Sequence, residues 1–273
     1  MSETIHRPPA LIEMAAVEVT ALNDSSLTVL ENVNWSVPAG EFWVVAGPHH
    51  SGKSDLLLNA AGLVAPAGGT CRIFGGDTRE FGDSRIAERR RIGFTFADGK
   101  LFNHLTIAEN VALPLRYHRQ PSDAETAARV AAILDLLELT PSAHLPPGNV
   151  ALAWRQRAAL ARALVLQPEL LLLDNPNAGL TPRHREWLIS FLDQLWRGHE
   201  FFGGRPMTIV ATTDDLLAWQ HPDRKFAAVH ATTFSVLGKW GGQEFSGHPG
   251  VRELLLTPPQ TDETRPEPAP GRP

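Results

Sequence analysis

The sequence is poor in cysteine, tyrosine and positive charge. Its one cysteine, Cys71, excludes an internal disulfide, and the strand-like stretch 71–74 around it indicates a small buried hydrophobe rather than a reactive thiol. Lysine and arginine number 25 against 30 acidic residues, so the net charge of −5 provides no basic field for nucleic acid. The basic run at 89–91 is interpreted as a solvated face beside a strand. We therefore expect no nucleic-acid partner.

Long apolar runs are also missing. No stretch approaches the roughly 18 apolar residues of a membrane span, and residues 1–9 lack the apolar core of a signal peptide. The sequence therefore predicts a cytoplasmic protein, in which any membrane role must come through a partner. Apolar residues still make up 43% of the chain, which is enough for a sizeable core.

The chain divides into two polar ends and one long ordered region. Residues 1–11 are predicted to be a flexible leader. Residues 257–273 contain six prolines and are predicted to be disordered, because they cannot bury enough apolar surface to offset the entropy of ordering. Between the ends, strand and helix patterns alternate, which predicts an α/β fold with a parallel sheet covered by helices. The strands are predicted at 28–37, 41–46, 92–96, 170–173, 208–211 and 225–230, and the helices at 51–63, 124–138, 155–167 and 183–197.

The most specific motif fits G-x-x-x-x-G-K-[ST] and stands between a predicted strand and a predicted helix. Backbone N–H groups and the helix N-terminus of such a loop cradle phosphates. Lys53 is expected to reach the β- and γ-phosphates, and Ser54 to ligate Mg²⁺. Asp174, which ends an apolar run, is expected to be the carboxylate on the Mg²⁺ side. The sequence thus predicts ATP and Mg²⁺ as ligands. The residues predicted to contact nucleotide are Gly47, Pro48, His49, His50, Ser51, Gly52, Lys53, Ser54 and Asp55.

The pair His49–His50 has a second interpretation as a metal site. Two adjacent histidines seldom converge on one ion, so we favour their place in the phosphate loop.

With these pieces placed, the chain resembles an ABC-type ATPase over residues 12–256. The similarity is carried by residues 92–115, by the helix-forming stretch 155–164 and by residues 170–182. The resemblance implies a P-loop NTPase core of RecA-like type with an N-terminal β-subdomain and a helical subdomain inserted at about 98–161. It also implies a homo- or heterodimer of such subunits that sandwiches two ATP molecules and docks on integral-membrane permease subunits.

Within that family, two stretches are similar to the ATPase of MCE-type phospholipid transporters. They are residues 101–118 and residues 248–255. This narrower resemblance implies a lipid cargo.

The chain departs from the family at the positions that act in hydrolysis. The catalytic Glu is replaced by Asn175, whose amide cannot accept a proton from water. The switch His is replaced by Asp214, and the Q-loop Gln by Ala97. These three substitutions predict that the side chains that act in hydrolysis in the family are not intact in this chain.

The signature motif aligns with residues 150–154, and it too is changed. Leu152 and Ala153 stand where the family has glycines, and their side chains are expected to obstruct the approach to the opposing subunit's ATP. Ala151 removes a serine hydroxyl, and Thr181 replaces the D-loop Asp. The stretch 23–26 offers no aromatic ring to stack on adenine.

Asp55 replaces a hydroxyl residue beside the phosphates. At about 4 Å and an effective dielectric near 20, its carboxylate would repel nucleotide by a few kcal/mol. The penalty largely vanishes if the side chain points to solvent.

Three functions therefore stay open. The favoured one is an ATP-binding transporter subunit with weak or absent hydrolysis, because several independent positions have changed. The second is a fully active ATPase in which Asp214 or Asp215 is a substitute base. The third is a scaffold or regulator of a permease that binds no nucleotide.

Overall fold

The computed structural model describes residues 9–80, 85–118 and 122–256. Ten strands occur within these ranges: β1 (Ala10–Ala21), β2 (Asp24–Pro38), β3 (Phe42–Ala46), β4 (Gly68–Ile73), β5 (Gly76–Asp77), β6 (Ile92–Thr95), β7 (Leu170–Leu173), β8 (Thr208–Thr213), β9 (Lys225–His230) and β10 (Thr233–Lys239). Eight α-helices occur in the same ranges: α1 (Lys53–Ala60), α2 (Ile86–Arg89), α3 (Ile107–His118), α4 (Asp123–Leu136), α5 (Leu152–Leu164), α6 (Pro182–Arg197), α7 (Gln243–Gly247) and α8 (Pro249–Leu256).

The strands form one sheet in the order β5-β4-β1-β2-β10-β9-β3-β8-β7-β6. One half, β9-β3-β8-β7-β6, is parallel, as expected where helices cross between strands. The other half, β5-β4-β1-β2, is antiparallel. This combination confirms the predicted fold class, an α/β P-loop NTPase core with an N-terminal β-subdomain.

Strand β3 lies inside the sheet and is buried on both faces. Phe42, Val44 and Ala46 face a core built with α3 to α6, whereas Trp43 and Val45 face a second core with α1 and the antiparallel strands. Such continuous apolar runs are typical of strands covered by helices on both sides. The two cores fix the sheet, and therefore fix where its strand ends present their loops.

The structure refines several predicted boundaries. Helix α1 begins at Lys53 rather than Ser51, because Gly52 has a φ of +89° and is not helical. It ends at Ala60, two residues before Gly62, whose φ is +65°. The proposed helical subdomain, 98–161, contains α3, α4 and most of α5.

Strand β1 begins at Ala10, inside the stretch predicted as a leader. The leader prediction fails at its end because Leu11 is buried in the N-terminal core. Residues 1–8 and the predicted disordered tail, 257–273, lie outside the described residues. Among the residues that are described, no helix is long and apolar enough to cross a membrane.

Candidate nucleotide-binding site

Three parallel strands end side by side and bring the candidate residues to one edge of the sheet. Strand β3 pairs with β8, and β8 with β7. The phosphate loop follows β3, Asp174 follows β7, and Asp214 follows β8. The Gly47 N–H donates to the Thr213 carbonyl oxygen at 3.1 Å, which ties the loop to the end of β8. In open α/β sheets this carboxyl edge is where ligands bind.

The loop conformation depends on its glycines. A Cβ added at Gly47 would lie 2.7 Å from Ser51 Oγ and 2.8 Å from the Val229 carbonyl oxygen, so no side chain fits there. Gly52 precedes α1 with a left-handed φ that glycine adopts without strain. His50 has a φ of +58°, a conformation in which histidine is enriched among non-glycine residues. The loop can therefore carry His50 at a position with positive φ.

Lys53 lies inside this loop. Its Nζ donates to the carbonyl oxygens of Gly47 at 2.8 Å and Pro48 at 2.5 Å, and the residue is only 7% exposed. Burial lowers the pKa of Lys53 to about 8, although the charges of Asp214 and Asp174 act to raise it. A bound phosphate would add negative charge beside the ammonium and favour its protonated form. The arrangement suits a lysine that pairs with an anion.

The candidate Mg²⁺ ligands are in contact. Ser54 Oγ donates to Asp174 Oδ1 at 2.9 Å, and Thr212 Oγ1 donates to the same oxygen at 2.9 Å. Hydroxyl and carboxylate oxygens are hard donors of the kind that Mg²⁺ prefers, together with water and nucleotide phosphate. These residues fit Mg²⁺, and when bound the ion would neutralise phosphate charge.

Thr212 is a site residue that the sequence reasoning missed. Its hydroxyl oxygen also accepts the Asn175 N–H at 2.9 Å, so it fixes both residues that follow β7. The only sequence signal was its place at the end of a strand before Asp214.

Asn175 and Asp214, two of the predicted degenerate positions, meet at this edge. Asn175 has a left-handed φ of +40°, and its Nδ2 lies 3.4 Å from Asp214 Oδ2. His49 Nδ1 lies 3.7 Å from the same oxygen. The sequence reasoning named all three residues but did not foresee this contact, because His49 and Asp214 are far apart in the chain.

Ala97 lies against α5. Its carbonyl oxygen is 3.4 Å from Nε2 of Gln156, which also donates to the Ala178 carbonyl oxygen at 3.1 Å. Gln156 thus links the segment after β6 to the segment after β7, and it is a second residue that the sequence reasoning missed.

The altered signature segment is only partly as predicted. Ala151 is exposed at the N-cap of α5 and, having no hydroxyl, makes no side-chain cap. Ala153 is buried within its own chain, and its obstruction of the opposing subunit's ATP stays a prediction. Leu152 is half-buried, and its Cδ2 lies 2.9 Å from where a Cβ on Gly179 would be. Its side chain therefore packs partly on this chain's own D-loop.

Asp55 does not extend freely into solvent. Its Oδ1 accepts the Leu22 N–H at 2.8 Å, which ties α1 to the turn between β1 and β2. The carboxylate is therefore anchored to the β1–β2 turn. Leu22 is 60% exposed there, in the region that lacks an aromatic ring.

Comparisons with known proteins agree with this geometry. Residues 30–178 match the ABC transporter family. The chain is 38% identical over 180 residues to a probable ribonucleotide transport ATP-binding protein mkl of Mycobacterium leprae, covering 65% of this chain and 52% of that protein. It is 40% identical over 167 residues to the sulfate/thiosulfate import ATP-binding protein CysA of Mycolicibacterium paratuberculosis, covering 61% and 44%. The chain thus spans about half the length of these relatives.

A solved structure is similar over more of the chain. The ATP-binding cassette MJ0796, in a dimeric post-hydrolysis state with ADP and Pi, superposes with a TM-score of 0.72 at 29% identity, covering 81% of this chain and 95% of that one. Because the family match extends over more than half of the chain, from β2 through the phosphate loop to the residues after β7, this protein belongs to the ABC transporter family as an ATP-binding domain.

Proposed function

We propose that this chain is the ATP-binding subunit of an ABC transporter that binds Mg²⁺-ATP but hydrolyses it slowly. The observation that carries the proposal is a contrast within one site. Lys53 lies within the glycine loop, and Ser54 hydrogen-bonds Asp174 beside it, which supports a site for phosphate and Mg²⁺. Beside them, Asn175 stands where the resemblance expects the catalytic carboxylate. The groups suited to bind phosphate and Mg²⁺ are therefore present, whereas the expected proton acceptor is an amide.

The expected affinity is low for two reasons. The stretch 23–26 has no aromatic ring to stack on adenine, and base–aromatic stacking in nucleic-acid complexes is worth about 1–3 kcal/mol. Loss of a similar contact weakens binding roughly 5- to 150-fold. The Asp55 carboxylate, held by Leu22 beside the loop, adds repulsion.

Binding is tested by titrating Mg²⁺-ATP calorimetrically into the full chain. Lys53→Ala removes a charged donor worth about 1.5–3 kcal/mol, so we expect affinity to fall roughly 10- to 150-fold. Lys239→Ala is the matched control, because that lysine is 61% exposed and pairs with Asp223 away from the site. If the wild-type chain takes up no nucleotide at millimolar ATP, the scaffold function replaces this proposal.

Turnover is tested by steady-state phosphate release, with the purified chain alone and with its permease. Loss of a general base costs roughly 10²–10⁴-fold, and loss of a charge-stabilising donor roughly 10²–10³-fold. We expect turnover at least roughly 10²-fold below a relative with intact motifs, since either term alone reaches that limit. Brisk Mg²⁺-dependent turnover that vanishes in Lys53→Ala would instead support the fully active transporter.

The partners we propose are a second ATP-binding subunit and membrane-embedded permease subunits. The dimeric MJ0796 structures support the first, and the transport names of the relatives support the second. Each composite site would combine one chain's loop with the other's signature segment. An intact partner in a heterodimer should therefore rescue neither site fully, because one site has Asn175 and the other has the altered segment 150–154. Attachment to these partners places the chain on the inner membrane face.

The cargo we propose is a phospholipid, on the resemblance of residues 101–118 and 248–255 to MCE-type ATPases. The relatives' names give ribonucleotide and sulfate or thiosulfate as other cargo classes. Vesicles that contain the chain with its permease distinguish these classes: labelled phospholipid should move in an ATP-dependent manner, whereas movement of a nucleotide or sulfate alone would contradict the lipid assignment.

A further inference from the structure

Three polar side chains from three separate segments meet beside Lys53. Asp214 Oδ2 is shared between Asn175 Nδ2 at 3.4 Å and His49 Nδ1 at 3.7 Å. The amide is buried, the carboxylate is 24% exposed and the imidazole is 60% exposed. The carboxylate therefore lies between a buried donor and an open ring at the mouth of the phosphate loop.

We propose that Asp214 is the general base for slow ATP hydrolysis at this site and that His49 is its positioning residue. The inference rests on the proposed nucleotide binding. It names an acceptor for the proton of the attacking water, a task that the amide of Asn175 cannot perform.

The hydrogen bonds of the neighbouring carboxylates single out Asp214. Asp174 Oδ1 already accepts from Ser54 and Thr212. Asp215 pairs with Arg185 at 2.8 Å through Oδ2, and its Oδ1 accepts the Ala218 N–H at 3.3 Å. By contrast, Asp214 Oδ1 accepts no hydrogen bond from the part of the chain that the structure describes.

Two further features suit Asp214 to act as a general base. Its partial exposure lets water reach the free oxygen, and the Asn175 amide holds the other oxygen from the buried side. A base must lie within hydrogen-bond reach of the water that it activates, which an unpaired carboxylate oxygen at the loop mouth permits.

The step balances without a further reagent. The water oxygen forms a bond to the terminal phosphorus of ATP as one water proton passes to Asp214. The bond from that phosphorus to the bridging oxygen breaks, and its electron pair leaves with ADP. Asp214 then returns the proton to solvent, giving ADP and inorganic phosphate.

His49 acts through Asp214. Its ring, which is 60% exposed, approaches Oδ2, the same oxygen that the Asn175 amide contacts, so His49 and Asn175 together fix the rotation of the carboxylate. A role of this kind affects the rate of the chemical step and not the hold on nucleotide. It predicts a change in kcat with little change in KM.

The test is single-turnover phosphate release from Mg²⁺-ATP with the full chain in excess, paired with calorimetric binding. We expect Asp214→Asn to lower the rate by roughly 10²-fold or more and to leave the dissociation constant within about threefold. Asp214→Glu, which keeps a carboxylate, should retain a rate within about tenfold of wild type. Asp223→Asn is the matched control, because that side chain is 63% exposed and outside the site.

His49 has its own arm of the experiment. His49→Ala should lower kcat at constant KM, and His49→Asn, which keeps a donor beside Asp214, should restore part of the rate. Equal loss in both variants would remove the positioning role.

The outcomes separate this inference from the proposal beneath it. If the chain binds Mg²⁺-ATP but Asp214→Asn releases phosphate at the wild-type rate, the base is elsewhere and the inference is overturned. It is also overturned if the wild-type chain binds ATP yet shows no release that Lys53→Ala abolishes. If the chain binds no ATP, the proposed function fails as well. Unchanged melting temperatures exclude unfolding as the cause of any loss.

Discussion

Replacing Asn175 by glutamate returns a carboxylate to the position where related ATPases have one, yet we expect it to destabilise this chain. Asn175 Nδ2 lies 3.4 Å from Asp214 Oδ2, so a glutamate places a second negative charge beside the first. At that distance and an effective dielectric near 20, two unit charges repel by about 5 kcal/mol. Rotation of the longer side chain and solvent contact at Asp214 reduce this, so we expect a net loss of about 1–2 kcal/mol.

Thermal unfolding tests this prediction. A loss of about 1–2 kcal/mol lowers the melting temperature by roughly 2–8 °C for a chain of this size. Asn175→Gln is the matched control, because glutamine has the length of glutamate without its charge, and it should melt close to wild type.

Phosphate release completes the test. Asn175→Glu alone should stay within about tenfold of wild-type turnover, because the switch position and the segment 150–154 remain altered and losses among groups that act together are not additive. Adding Asp214→His to Asn175→Glu should recover the stability, since one of the two like charges is removed. The reasoning is refuted if Asn175→Glu melts at the wild-type temperature or if its turnover rises a hundredfold.

Other predictions follow from single contacts. Because burial lowers the pKa of Lys53 to about 8 and nucleotide binds the charged form, affinity for Mg²⁺-ATP should fall about tenfold between pH 7 and pH 9, and calorimetry on Lys53→Ala should show no such slope. Asp55→Ala should lower the free energy of unfolding, measured by urea denaturation, by about 1 kcal/mol because the Leu22 N–H loses its acceptor, whereas Asp55→Asn keeps the acceptor. Both variants remove the charge and should tighten nucleotide binding, so wild-type affinity in both would contradict this. Ala151→Ser should stabilise α5 by about 0.5–2 kcal/mol, measured by urea unfolding against Ala151→Gly, because it supplies the missing N-cap hydroxyl.

The sequence predicted those parts of the fold whose signals are local. The apolar run Leu170–Leu173 is a strand with the predicted bounds, and so is Lys225–His230. Short, largely apolar runs of this length are typical of buried strands. The sequence pattern does not predict α3, since Pro114 lies inside it and proline normally interrupts a helix. Helix α3 forms despite the proline because its buried residues, among them Val111 and Leu115, pack in the larger core.

The site, like the fold, has one part that the local sequence predicts and one part that it does not. The phosphate loop is one contiguous motif, so its residues and their neighbour relations are visible in the sequence. The contacts of Asp214 with His49, and of Asp55 with Leu22, join segments that are distant in the chain. They depend on the order in which strands enter the sheet, which no local pattern records. The sequence does not predict Thr212 as a site residue either, because only the pairing of strands in the sheet places its hydroxyl beside Asp174.

Binding and hydrolysis rely on different kinds of groups, and this difference explains how one can persist while the other changes. Phosphates in such a loop are held largely by backbone N–H groups, which His49 and His50 leave in place as long as the loop keeps its conformation. Proton transfer relies on one side chain with an accepting oxygen. An amide at position 175 would therefore remove a proton acceptor without disturbing the loop, and Asp214 Oδ2 lies 3.4 Å from Asn175 Nδ2 because β7 and β8 are adjacent.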